Sequence, residues 1–323
     1  MAYFGSHALL ATARLGLADT LVGGPKTSEE MARAINAQPA LVARLMRAMV
    51  SLGVFERTPD GKYALNGPAR GLLSEGEGSQ RSLLLMAGAK WSHLLWMQLA
   101  DVVRTGRPAH ETVLQKPLFE YLAEHPEEDA EFHRAMLDFS AQTAAACMGV
   151  LPFEGVRTLV DVGGGLGQFL SIALDRHPEI VKGILVDQPA VAEALRQRLA
   201  SMPSATRIEV VGGDFFRSVP EGGDLYVLMN ILHDWSDEQA IQILRNCRAA
   251  ARAGARICAV EMVVSEKPFG EFPPLFDLNM LVLFGGGRER TLAEFESLFR
   301  AAGLKMVRVS STASASSVLE CVV

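Results

Sequence analysis

The chain has 323 residues, enough for one large domain or two ordinary ones, and its 49% hydrophobic content marks a globular protein. A formal net charge of −6 argues against a nucleic-acid footprint over the whole molecule. No uninterrupted apolar run approaches the ~18 residues of a membrane span, and no basic segment precedes an apolar one at the N-terminus, so neither membrane insertion nor a signal peptide is expected.

Residues 1–99 are written in helices. After an apolar first segment, Ala8 to Leu21, the run Thr27 to Ile35 opens with capping residues and carries apolar positions at helical spacing. Asn36 to Pro39 breaks it, Leu41 to Leu52 resumes as a second helix, and Phe55 to Leu65, with Asp60-Gly61 at its centre, predicts a small hairpin. This is a winged-helix pattern. Its second helix offers only Arg44 and Arg47 among Leu41, Val42, Leu45, Met46, Met49 and Val50, too apolar a set for reading a DNA groove. A dimerisation module is the better expectation, with a winged-helix transcriptional regulator as the competing function. From about residue 118 a long helical stretch is predicted through Phe132, Met136 and Phe139 to Met148.

Strand and helix patterns then alternate, with strands near 157–162, 182–187, 207–211, 224–229, 255–262, 305–309 and 317–323 and helices near 167–176, 189–200, 238–252 and 291–302. The prediction is an α/β, doubly wound, Rossmann-like sheet of seven strands, the last edge antiparallel, over residues 100–323. It follows an N-terminal winged-helix domain over 1–99. The first strand ends at Asp161-Val162 and turns through Gly163, Gly165 and Gly167 into a helix, a geometry that aims backbone N–H groups at a nucleotide. The dinucleotide fingerprint would need glycine where Gln168 stands, so the pattern is acid-x-G-x-G-x-G, which resembles the first motif of the S-adenosylmethionine-dependent methyltransferases. Asp187 at the second strand tip suits two ribose hydroxyls, and Asp214 beside Phe215 at the third suits an adenine.

The fourth strand leads into His233 and the fifth delivers Glu261, while Glu289 stands ahead of a helix capped by Thr291. A histidine between carboxylates is the pattern of an oriented general base. The seven histidines show no metal-ligand spacing, and no metal is expected. Cys147, Cys247, Cys258 and Cys321 form no C-x-x-C pair and suit buried positions in a reducing cytoplasm.

The runs DVGGGLG, VGGDFF, ILHDWSDE, AVEMV and GGGRERT, in this order, resemble the O-methyltransferase family named for plant caffeic acid and flavonoid enzymes, which includes bacterial enzymes that tailor aromatic natural products. The resemblance spans nearly the whole chain and implies a homodimer that methylates a hydroxyl of an aromatic small molecule, without nucleic-acid or membrane partners. It gives His233, Glu261 and Glu289 the catalytic roles. It gives Asp161, Gly163, Gly165, Asp187, Asp214, Phe215 and Trp235 the cofactor. It places Met280 on the acceptor ring, and Phe132, Met136, Phe139 and Phe284 are expected to line the acceptor pocket with it. Met229 stands where plant members carry a lysine, and the stretch between Glu261 and Glu289 is shorter than theirs, so no plant substrate is implied. A methyltransferase-fold enzyme with other chemistry is the third reading.

Overall fold

The computed structural model describes all residues except Met1, Glu77, 200–203, 266–271 and 285–286; Gly285 and Gly286 of the GGGRERT run therefore lie outside the described residues. Backbone contacts divide the chain into two compact units, one of 1–97 with 113–139 and one of 98–112 with 140–323.

In the first unit the helices Ala2–Arg14, Ser28–Ala34 and Pro39–Ser51 precede a hairpin of β1 (Phe55–Arg57) and β2 (Tyr63–Leu65). Thr27 and Glu30 form a reciprocal capping box, which starts the second helix where the T-S-E-E run predicts it. Met31, Met46, Met49, Phe55 and Tyr63 fill the core between these elements. Val42, Met46 and Met49 turn inward, so the outer face of Pro39–Ser51 presents Leu41, Arg44 and Arg47 and is less apolar than the sequence pattern suggests. The long helix predicted from residue 118 is two: Leu118–Ala123 and Pro126–Cys147. Pro126 explains the break, since it has no N–H to continue a helix yet suits a first turn.

The second unit is built on β3 (Thr158–Val162), β4 (Lys182–Asp187), β5 (Ile208–Gly212), β6 (Leu225–Met229), β7 (Arg256–Val264), β8 (Arg290–Thr291), β9 (Lys305–Ser311) and β10 (Ser316–Val322). The order across the sheet is β5-β4-β3-β6-β7-β10-β9, with the short β8 beside β7. β5 to β7 pair in parallel, and β10 runs antiparallel to both neighbours. The antiparallel strand thus sits one place inside the edge, because the short 312–315 connection folds β10 back as a hairpin between β9 and β7. Residues of β3 alternate between two cores. Val160 and Val162 pack with Ile243, Leu244, Phe295 and Phe299 on one face, while Leu159 packs with Phe169, Leu170 and Cys147 on the other. The strand order reverses between β3 and β6, and the carboxyl ends of the strands there form the crevice where this architecture binds ligands.

Candidate active site

Beyond β3 the chain turns with positive φ at Gly163 (73°), Gly165 (54°) and Gly167 (75°) before the helix Gln168–Arg176. A side chain at Gly163 would run into Ile231, and its β-carbon would stand 3.5 Å from the Phe215 ring, so this glycine lets the β3 turn lie against the residues after β5 and β6. Asp161, 1% exposed, holds an Oδ2 that has no hydrogen-bond partner among the described residues. Burial, then the charge of Asp187, push its carboxyl up to about 8, against the Leu170 N–H that favours the anion. Asp187 accepts from Gly165 N at 2.8 Å and Gln188 N at 2.7 Å, so each carboxylate oxygen already steadies the loop and keeps a lone pair for a ligand.

Asp214 lies past the tip of β5, exposed, and accepts from Phe216 N at 2.9 Å. The ring of Phe215 stands 5.0 Å from Phe216 and 6.0 Å from Trp235, and Phe216 lies 4.8 Å from Trp235, all edge-on. An open glycine turn, a buried acid with one unpartnered oxygen, the Asp187 carboxylate and an aromatic cluster in one crevice fit a cofactor with polar groups and a flat base.

Next to it, Asn230 follows β6 in the left-handed region (φ 56°), a conformation asparagine tolerates, and the chain enters the short turn Leu232–Asp234. His233 is 7% exposed. Its Nδ1 stands 2.8 Å from Glu289 Oε1 and 3.7 Å from Glu261 Oε2, and its Nε2 is 3.5 Å from Asp234 Oδ1. Glu261 spends Oε1 on the N–H groups of Ile231 (3.0 Å) and Leu232 (2.7 Å), so the carboxylate beneath the ring also shapes the turn above it. Burial alone would lower the imidazole; Glu261 and Glu289 outweigh it and raise His233 to about 9. Burial, with the neighbouring Glu289, lifts Glu261 to about 7. Between two buried carboxylates the imidazole does not keep its ordinary value of 6.5.

The donor atoms of His233, Glu261 and Glu289 all lie within 4.8 Å of one another, a grouping of the kind that can also hold a metal ion. The structure therefore brings the three proposed catalytic residues together and gathers the proposed cofactor residues along one rim. The five proposed acceptor residues divide between the units. Met280, 2% exposed, lies on the helix Pro273–Leu283, and Phe284 follows it. Phe132, Met136 and Phe139 belong to the other unit, where Phe132 packs edge-on against Phe119 at 5.8 Å. Sequence reasoning missed Phe276, stacked 6.3 Å from the His233 ring, and Asp277, whose Oδ1 accepts from Glu289 N at 2.8 Å. Helical spacing to Met280 is the signal that could have found them.

Fold and site together define an S-adenosylmethionine-dependent methyltransferase. Residues 96–305 match the model of the O-methyltransferase domain, and residues 1–75 that of the O-methyltransferase dimerisation domain. The chain belongs to this O-methyltransferase family. It is 40% identical to the phenazine O-methyltransferase PhzM of Lysobacter antibioticus over 98% of this chain and 92% of that protein. It is 35% identical to the 8-amino-8-demethylriboflavin N,N-dimethyltransferase of Streptomyces davaonensis over 97% and 90%. Among solved structures, the SAH-bound calicheamicin-biosynthesis methyltransferase CalO1 superposes with a TM-score of 0.91 at 34% identity, covering 100% of this chain and 95% of that one. Among the described residues no helix is long and apolar enough to cross a membrane.

Proposed function

We propose that the enzyme methylates a hydroxyl oxygen of an aromatic small molecule, a secondary metabolite, with His233 as general base, and that it works as a cytoplasmic homodimer. One observation carries the reading. Glu289 holds Nδ1 of His233 at 2.8 Å, which leaves Nε2 as the ring atom available to an acceptor hydroxyl. Bound S-adenosylmethionine supplies an electrophilic methyl carbon on a sulfonium, with Asp161, Asp187, Asp214, Phe215, Trp235 and the Gly163–Gly165 turn as its holders. Met280 and Phe284 are the proposed apolar contacts to the acceptor in this unit.

A phenol of pKa about 10 gives its proton to a base raised to about 9 at a cost on the order of 1 kcal/mol. At pH 7 most of His233 is already imidazolium, so a second kinetic form is equivalent: an acceptor anion binding beside a positive ring. In both, the two glutamates keep the ring's charge compensated while the oxygen reacts.

The riboflavin relative, by its name a dimethyltransferase of nitrogen, favours one second reading, an aromatic amine as acceptor. A neutral amine attacks through its lone pair and sheds its proton afterwards, so it depends less on a base. The test incubates the enzyme with S-adenosylmethionine and a panel of phenols and aromatic amines, with products identified by mass spectrometry. For a phenol, His233→Ala is expected to lower kcat on the order of 10²- to 10⁴-fold while the affinity for S-adenosylmethionine persists. Turnover of amines alone, indifferent to His233→Ala, would establish the second reading.

A further inference from the structure

We infer that Arg290 is a positioning residue that clamps the base-bearing turn to the aromatic end of the cofactor crevice; the inference rests on His233 being the base. Arg290 is a fully buried arginine at 0% exposure, and its guanidinium spends every face on one target. Nη1 donates to Leu232 O at 2.6 Å and Nη2 to Trp235 O at 2.7 Å, the carbonyls on either side of His233-Asp234. Nε donates to Asp237 Oδ1 at 2.9 Å, at the start of the helix Asp237–Ala250 that continues from that turn. A planar fork with donors in fixed directions matches two carbonyls and a carboxylate in a way that an ammonium does not.

The residues before it in sequence address the same turn. Gly287 packs so closely that a β-carbon there would stand 2.5 Å from His233 O. Arg288 N donates to His233 O at 2.8 Å, and Glu289 takes Nδ1 of the ring. Side chains alternate along the segment, so Glu289 fixes the imidazole while Arg290 fixes the backbone that carries it. The second carbonyl belongs to Trp235, whose ring packs on Phe215 and Phe216 beside the glycine turn. One guanidinium thus sets the base and the aromatic cluster relative to each other.

Arg290→Lys in the full-length enzyme is expected to lower kcat for a phenol on the order of 10²-fold, the scale of a displaced reacting group, and to raise KM for S-adenosylmethionine. In a His233→Ala background the same change should leave kcat unaltered and still raise that KM, since the base is gone and Trp235 is not. Asp237→Asn, which keeps Arg290 and removes a carboxylate that it shares with Arg288, should show a smaller loss with the same pattern, and read against Arg288→Gln as its control it decides the matter if Arg290→Lys fails to fold. A kcat loss that adds fully in both backgrounds, or no loss at all, overturns the inference and leaves Arg290 a packing residue. A fully active His233→Ala enzyme overturns the base reading and this inference with it.

Discussion

At His233 the decisive contact is with Glu289, because that hydrogen bond chooses which ring nitrogen faces the acceptor and shares in raising the ring to about 9. Glu289→Gln removes a charge but keeps a side chain that can still reach Nδ1. With the raising influence reduced and burial still opposing it, the His233 pKa falls. The low-pH limb of kcat/KM for a phenol should therefore move to lower pH, and the plateau should drop because the base is weaker. A pH–rate profile checks this, and an unmoved limb would mean that His233 does not carry the titration. Of the trio, all three members were legible as a histidine with two carboxylates. Their division of labour was not, since only the fold shows Glu261 bonded to the turn and Glu289 to the ring.

The elements around the site are held by local devices that short sequence runs announce. Thr291 accepts from Glu294 N at 3.3 Å, and Glu294 accepts from Thr291 N at 2.8 Å, a capping box that starts the helix Leu292–Ala301 directly after the Glu289-Arg290 pair. Thr291→Ala should cost about 1 kcal/mol of stability, measured as a lower urea midpoint at unchanged slope. Ser236 caps the helix Asp237–Ala250 in the same way. The strand bounds near 157–162, 182–187 and 224–229 were legible because buried parallel strands are short apolar runs closed by turn residues. The break at Pro126 was missed because apolar periodicity continues across it while the backbone hydrogen bonding does not. The inward turn of Val42, Met46 and Met49 was missed because helical spacing identifies one face without saying which face is covered.

Across the whole molecule, protonation couples the site to folding. Asp161 is raised from 3.8 to about 8, and His233 from 6.5 to about 9. Both bind a proton more tightly folded than unfolded, so each contributes stability at low pH that is lost as pH rises through the folded value. Between pH 6.5 and 8 the folded chain holds protons on these two groups, and on Glu261 up to about 7, that the unfolded chain has largely released, and stability should fall with pH at up to about 1.4 kcal/mol per unit for each. Urea midpoints at pH 6.5 and 8 measure this. Asp161→Asn should flatten the dependence, and a midpoint rising over that range would mean that these groups are not held as described.

The class of the protein was determined by sequence alone. The order of strands and helices, the acid-glycine turn, and the HDW and RERT runs all lie in short stretches whose physics is local: apolar periodicity, positive φ, capping. What only the tertiary structure decided depends on groups far apart in the chain meeting in a dry crevice. Burial and the charges around them shift the protons of His233 and Glu261, and Arg290 acts on carbonyls more than fifty positions away in sequence. The placement of β10 inside the edge is of the same kind, since a hairpin's local geometry says that two strands pair and the third neighbour is chosen by the sheet.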